Sequence, residues 1–188
     1  MLFFTSDLHI SHRNIIKYCP DTRGHFKSPE EMNDTMIYNW NSKISKDDDV
    51  IIIGDLSFTN TRETGIILKK MNGKKTLIFG NHDNRIREKT YFLDEYFVHY
   101  SDMMDAVIDD VRFIFCHYPH RELIMKDYTF NDLQFDIFLH GHKHSTSCIL
   151  DDKNRMVMDI GMDSNNLIPH SIEEIMTKYQ ELLKDKTQ

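Results

Sequence analysis

The stretch "FFTSDLHISHRN" (residues 3–14) carries the first signal of the fold of this chain. It begins as an apolar run, typical of a buried strand, and stops abruptly in Asp7, His9 and His12. One Asp-x-His group is a weak signal by itself. Open α/β sheets place their chemistry just beyond the carboxyl ends of their strands, so the question is whether other predicted strands end in side chains of the same kind.

Length and composition limit the kinds of protein that the chain can be. Its 188 residues suffice for one sizeable core, and we expect a single domain over residues 1–188. The formal net charge of −7, without a basic block, argues against binding to extended duplex nucleic acid. Three scattered cysteines predict no disulfide framework, and no segment approaches the roughly 18 apolar residues of a membrane helix. We therefore expect a soluble, cytoplasmic protein that does not cross a membrane.

Short apolar runs alternate with amphipathic segments in the first part of the chain. A helix is predicted within residues 28–44, with Ser28 as its N-cap, and another at residues 62–71, closed by Gly73. The predicted strands of this pattern are 2–5, 50–53, 76–79, 112–115 and 137–139.

The later part of the chain is richer in strands. Residues 104–108 and 112–115, and then 146–150 and 156–160, are spaced like hairpins. Ser171 and Glu174 form a capping box at the start of a final helix. The whole pattern predicts an α/β (α+β) fold of two packed sheets flanked by helices.

Side chains that bind metals recur where the predicted strands end. The fragments, in chain order, are Asp7 and His9, then Gly54–Asp55, then "GNHD" (residues 80–83), then His117, and finally His142 and His144 in "GHKH". Each fragment alone also occurs in ordinary turns and loops. Together, in a fixed order and at five strand ends, they predict a metal site at one edge of the sheets.

With these fragments the chain resembles the calcineurin-like metallophosphoesterases from Asp7 to His144. Its tail "DIGMDSNNLIPHSIEEI" (residues 159–175) resembles the ending of small bacterial and phage members. The resemblance implies a four-layer αββα sandwich with two mixed β-sheets and two divalent metal ions. In that arrangement Asp7, His9 and His144 would bind the first metal, Asn81, His117 and His142 the second, and Asp55 would bridge them.

Mixed oxygen and nitrogen ligands suit Mn, Fe, Ni or Zn better than Mg or Ca, and Mn²⁺ is the first expectation among these. The implied activity is hydrolysis of a phosphoric ester by in-line attack of a hydroxide that bridges the two metals. His82, which the resemblance leaves free of metal, would protonate the leaving oxygen or stabilise the transition state. Asp83 would orient His82, and a plain turn aspartate is the equal alternative.

His12 and Arg85 are the predicted substrate contacts, because each follows a metal motif within a few residues. A surface or capping group is the alternative for Arg85. A solvent-exposed residue at a helix start is the alternative for His12. Phe58 stands where the phosphoprotein-phosphatase branch has a second aspartate, which disfavours a phosphoprotein substrate. We expect a small phosphomonoester or phosphodiester substrate, such as a nucleotide or cyclic nucleotide.

Two alternatives of different class remain. The first is a nuclease of the same chemistry, which the acidic balance and the lack of a basic groove disfavour. The second is a non-catalytic metal-binding adaptor on the same fold, which the complete set of metal-binding residues disfavours.

Overall fold

Two five-stranded β-sheets form the centre of the molecule in a computed structural model that describes residues 1–120 and 134–186. The first sheet has the order β10-β1-β2-β3-β4. Strands β1 to β4 run parallel and β10 runs antiparallel to β1, so this sheet is mixed. Its strands are β1 (Leu2–Thr5), β2 (Asp49–Ile53), β3 (Lys74–Ile78), β4 (His99–Ser101) and β10 (His170–Ser171).

The second sheet is also mixed and has the order β5-β6-β7-β9-β8. Its strands are β5 (Met103–Ile108), β6 (Val111–Cys116), β7 (Ile137–His140), β8 (Cys148–Leu150) and β9 (Met156–Asp159). β6, β7 and β9 run parallel, while β5 and β8 pair antiparallel at the two edges. Asp109 and Asp110 join β5 to β6 with φ angles of 49° and 63°, the left-handed pair that a type I′ hairpin turn requires. Both predicted hairpins are confirmed.

Seven helices and one 3₁₀ turn are present among the described residues: α1 (Ile15–Tyr18), α2 (Pro20–Arg23), α3 (Pro29–Lys43), α4 (Thr61–Leu68), α5 (Asn84–Arg87), α6 (Thr90–Tyr96), α7 (Ile172–Lys186) and the turn Met162–Asn165. Ser28 caps α3 as predicted, because its hydroxyl accepts a hydrogen bond from the Glu31 amide at 3.2 Å. The predicted capping box of α7 also forms: the Glu174 carboxylate accepts from the Ser171 amide at 2.7 Å, and the Ser171 hydroxyl accepts from the Glu174 amide. Among these helices, none is long and apolar enough to cross a membrane.

The side chains of the first sheet alternate between two hydrophobic clusters. Val50 and Ile52 point to the outer face and pack with residues of α3 such as Trp40. Ile51 and Ile53 point inward, toward the second sheet. The inner cluster joins Phe4, Ile51, Ile53 and Ile78 to Phe113, Phe115, Ile137, Leu139 and Met156, and α7 adds Ile175 and Tyr179. The fold is therefore the predicted α/β sandwich of two mixed sheets flanked by helices.

The predicted strands are confirmed within two residues at their ends, but two short strands were missed. β4 and β10 have three and two residues, too few to show an apolar alternation. The predicted helix at 62–71 ends earlier, at Leu68, and Gly73 follows with a φ of +86°. The chain thus turns before β3 where the glycine predicts it.

Phe4 is the side chain that best tests the packing between the sheets. It is fully buried, with ring centroids 5.4 Å from Phe115 and 6.2 Å from Phe113. Phe4→Ala should lower the free energy of unfolding by about 3–5 kcal/mol in urea denaturation, because it leaves a cavity between the sheets. Tyr38→Ala, at a ring that is 74% exposed on α3, should change it by only about 0.5 kcal/mol. Equal effects of the two substitutions would contradict this account of the core.

Candidate metal centre

The loops that follow β1 and β2 stay paired beyond the ends of the strands. The Asp7 amide donates to the Gly54 carbonyl at 3.0 Å, and the His9 amide donates to the Asp55 carbonyl at 3.0 Å. Because the two strands are parallel neighbours, this pairing carries Asp7, His9 and Asp55 to the same place at the carboxyl edge of the first sheet.

Several of the predicted metal ligands have left-handed backbone conformations. Residues other than glycine rarely adopt positive φ angles, which cost about 1–2 kcal/mol each. Strain of this kind collects at functional sites, where the surrounding structure enforces it. The ligands concerned are Asp7 (φ 55°), His9 (50°), Asp55 (54°), His142 (71°) and His144 (50°).

Glycines in two of the motifs allow the loops to approach each other closely. A Cβ atom at Gly141 would lie 1.9 Å from Ser6 Oγ and 2.3 Å from Asp7 Oδ2. A Cβ atom at Gly80 would lie 2.3 Å from Asp55 Oδ1. Both contacts are far too short, so the glycines of "GHKH" and "GNHD" are needed to pack their loops against the two aspartates.

Asp7, His9 and His144, the predicted ligands of the first metal, converge in the structure. Asp7 Oδ1 lies 3.7 Å from His9 Nε2 and 3.6 Å from His144 Nε2. Asp7 Oδ1 and His9 Nε2 are buried, and neither has a hydrogen-bond partner among the described residues. Buried polar atoms are normally paired, so these convergent donors fit a cation.

The predicted ligands of the second metal lie beside the first set. His117 Nε2 is 3.0 Å from Asn81 Oδ1 and 3.5 Å from Asp55 Oδ1, and the His142 ring lies 5.2 Å from the His117 ring. The other oxygen of Asp55, Oδ2, is 3.7 Å from His9 Nε2. One carboxylate therefore faces both donor sets, as a bridging ligand would.

The charges of the site compensate one another without metal. Burial raises the pKa of Asp7, but the imidazoles of His9, His117 and His144 outweigh it and lower the pKa to about 2. Burial lowers the pKa of His117, but Asp55 and Asp7 raise it to about 9. Both groups are therefore charged near neutral pH in the metal-free protein. Since metals bind the neutral imidazole, a cation that bound at His117 would displace a proton.

His82 lies at the edge of the two donor sets. Its side chain is 47% exposed, and its Nε2 lies 3.9 Å from Asp55 Oδ2. Its backbone amide donates to Asp55 Oδ1 at 3.0 Å. The ring therefore lies beside Asp55 and is half open to solvent.

The Asp83 carboxylate contacts the backbone of the loops that follow β2 and β3. Its fully buried carboxylate accepts hydrogen bonds from the amides of Asp55 and Gly80, both at 2.8 Å, and of Leu56, at 2.9 Å. Burial raises the pKa of Asp83. Of the two alternatives that the sequence left open, the contacts correspond to the turn aspartate, since they join the motif after β3 to the loop after β2.

His12 packs beside the first donor set. Its Nδ1 lies 3.0 Å from His9 Nδ1, and its ring stacks on Phe58 with centroids 3.6 Å apart. Burial and the charges of His9 and His82 lower the pKa of His12 to about 4, so its imidazole is neutral near pH 7. The half-buried His12 is not the solvent-exposed helix-start residue of the alternative interpretation.

An open cleft of about 420 Å³ lies over the first donor set. Arg85 lies outside this cleft and lines a neighbouring groove, and Phe58 lines both. The structure therefore does not bring this predicted substrate contact to the cleft. Lys143, which the sequence did not suggest, lines it instead. The lining residues are His9, His12, Ile15, Tyr18, Cys19, Phe58, His82, Lys143 and His144.

Two further residues at the centre were missed from the sequence. Asp163 Oδ2 lies 2.8 Å from His144 Nδ1, and Arg23 forms an ion pair with the same carboxylate. Burial lowers the pKa of His144, but Asp163, Cys19 and Asp7 raise it to about 10. The signal for Asp163 lies in the tail motif of residues 159–175, whose resemblance to small family members implies no role for this aspartate by itself.

Comparisons with known proteins agree with this fold. The family model described as calcineurin-like phosphoesterase matches residues 2–146, and the chain belongs to that family. The family implies divalent metal ions, and the Asp and His clusters described above could bind them.

Individual relatives extend the match beyond the family model. An uncharacterized protein of Methanocaldococcus jannaschii is 34% identical over 147 residues, which cover 77% of this chain and 69% of the relative. Gene 66 protein of Mycobacterium phage L5 is 28% identical over 186 residues, covering 86% of each chain. The crystal structure of a protein of unknown function from Aquifex aeolicus is similar with a TM-score of 0.75 and 26% identity, covering 95% of this chain and 98% of the other.

The contacts of Asp83 and His82 predict substitution effects of very different size within one motif. Asp83→Ala leaves three buried amides without their acceptor and should lower the free energy of unfolding by about 3 kcal/mol or more. His82→Ala, at a half-exposed ring, should change it by less than about 1 kcal/mol. Urea denaturation of the two metal-free variants measures both values. If Asp83→Ala were as stable as His82→Ala, the loop-bracing role would be wrong.

Proposed function

We propose that this phosphoesterase hydrolyses a small phosphomonoester or phosphodiester, such as a nucleotide or cyclic nucleotide, with two divalent cations. The observation that carries the proposal is the position of Asp55, whose two oxygens face His9 of one donor set and His117 of the other. Two cations held this way would lower the pKa of a water between them and neutralise charge on the phosphate oxygens. Mixed carboxylate, amide and imidazole donors favour Mn²⁺, with Fe, Ni or Zn as alternatives.

His82 is the proposed general acid. Its imidazole is half exposed and lines the cleft, while its backbone is tied to Asp55. An imidazole at this edge can donate a proton to the oxygen of the leaving group, or stabilise charge that develops on it. Asp83 contributes indirectly, because it fixes the loop that carries His82.

His12 is the proposed donor to the phosphate. If His9 binds a cation through Nε2, its ring hydrogen is on Nδ1. This N–H then donates a hydrogen bond to His12 Nδ1, 3.0 Å away. Because His12 Nδ1 accepts this bond, the single N–H of the neutral His12 ring is at Nε2. The His12 ring lines the cleft. A neutral imidazole with that tautomer can donate a hydrogen bond to a phosphate oxygen.

The shape and charge of the cleft favour a small ester over a long strand. A volume of about 420 Å³ suits a nucleotide-sized molecule. Lys143, a basic residue, lines the same cleft. Strand-binding grooves combine extended positive charge with aromatic platforms, whereas this chain has a formal net charge of −7.

His82→Ala separates the proposed chemistry from metal binding. The purified protein should hydrolyse bis-p-nitrophenyl or p-nitrophenyl phosphate with Mn²⁺, and EDTA should abolish the activity. In His82→Ala, kcat should fall by about 10²–10⁴-fold, the usual contribution of a general acid, while the Mn²⁺ content is kept. Equal loss of metal and activity would contradict the acid role. A metal-replete wild-type protein that hydrolyses none of a panel of monoesters, diesters and oligonucleotides would favour the adaptor instead.

A further inference from the structure

A buried ion pair behind the metal centre joins parts of the chain that are 140 residues apart in sequence. Arg23, at the end of α2, is fully buried. Its Nε donates to Asp163 Oδ1 at 2.9 Å, and its Nη2 donates to Asp163 Oδ2 at 2.8 Å. A guanidinium that meets a carboxylate with two parallel bonds fixes the orientation as well as the position of its partner.

The same guanidinium also holds the loop that follows β1. Arg23 Nη2 donates to the Asp7 carbonyl at 2.8 Å, and Nη1 donates to the Leu8 carbonyl at 3.0 Å. Asp7 and His9, on either side of Leu8, have the left-handed backbone described above. Arg23 therefore contacts the strained backbone that presents two donors of the first set.

Asp163 holds the third donor of that set. Its Oδ2 lies 2.8 Å from His144 Nδ1, and the Thr22 hydroxyl also donates to its other oxygen. A hydrogen on Nδ1 that points at a carboxylate leaves the lone pair of the ring on Nε2. Nε2 is the nitrogen that faces Asp7 Oδ1 at 3.6 Å.

We propose that Arg23 and Asp163 are positioning residues for the first cation. Asp163 fixes the tautomer and ring orientation of His144, and Arg23 fixes Asp163 against the loop that carries Asp7 and His9. The inference rests on the proposed two-cation function. Arg23 contacts the loop that carries Asp7 and His9, and Asp163 contacts His144, so the pair touches the support of all three donors of the first set. Loss of the ion pair should therefore weaken cation binding at that set more than at the set of Asn81, His117 and His142.

Asp163→Asn is the substitution that tests this, because it keeps the size of the side chain and removes its charge. Zn²⁺ is the probe, since it is diamagnetic and suits both donor sets. In a titration followed by ¹⁵N spectra of the histidine side chains, His9 and His144 report the first site, and His117 and His142 report the second. The Zn²⁺ affinity of the first site should fall about 10–100-fold, as is usual for a lost carboxylate partner of a ligating histidine, and that of the second should change less than about twofold.

The spectra supply a readout that a merely structural role would not change. In the Zn²⁺-loaded wild type, His144 should carry its hydrogen on Nδ1, and in Asp163→Asn this signal should weaken or become a mixture of tautomers. Glu174→Gln is the matched control, because it removes the partner of Lys43 in another ion pair and keeps a side chain that can complete the capping box. It should leave both Zn²⁺ affinities unchanged.

Cys19→Ser provides the second control within the same cluster. The Sγ of Cys19 lies within 4.8 Å of ligand atoms of His144 and Asp163. If Cys19→Ser weakened the first site as much as Asp163→Asn, these residues would bind an ion themselves and the positioning role would be overturned. Equal weakening of both sites in Asp163→Asn, or an unchanged first site, would overturn it as well.

Failure of the proposed function is distinguishable from failure of this inference. A protein that binds two Zn²⁺ ions with the predicted asymmetry, but hydrolyses no ester with any metal, contradicts the enzyme and supports the positioning role. A wild-type protein that binds no divalent ion contradicts both. Melting of the metal-free variants, followed by circular dichroism, shows whether Asp163→Asn has kept its fold.

Discussion

The buried carboxylates of Asp7 and Asp55 require positive charge beside them, and the rest of the site is arranged to supply it. Ligand atoms of the two residues and of His117 lie within 4.8 Å of one another, and both aspartates are almost completely buried. Two negative charges this close are costly away from water unless positive charge is brought to them. Imidazolium groups can supply it in the metal-free protein, and the divalent cations that the family implies would supply more of it.

The parallel part of the first sheet is what makes such a concentration of charge possible. β1, β2 and β3 lie side by side and end at one edge, so the motif that follows each strand meets the others there. Glycines at the contacts and left-handed conformations at the ligands bring the loops closer than ordinary turns would allow. The hydrophobic clusters on both faces of the sheet hold this edge in place, so packing and chemistry depend on the same strands.

Much of this arrangement was predictable because its signals are local. A strand such as β2 is apolar on both faces and ends directly in Asp55, so both its position and its functional end are visible in the sequence. Contacts between distant segments were not predictable in the same way. The role proposed for Asp163 depends on the tail returning to α2, and no local pattern in the sequence shows that the Phe58 ring stacks on His12. The sequence alone does not show whether Asp83 orients His82 or stabilises a turn, because its three amide partners are visible only in the structure.

Asp55 is proposed to join two cation sites, and anomalous diffraction from crystals grown with Mn²⁺ would locate both. We expect two anomalous peaks, about 4 Å apart, on either side of the Asp55 carboxylate. One peak should contact Asp7, His9 and His144, and the other Asn81, His117 and His142. A single peak that Asp55 does not contact, or no peak at this edge of the sheet, would contradict the account.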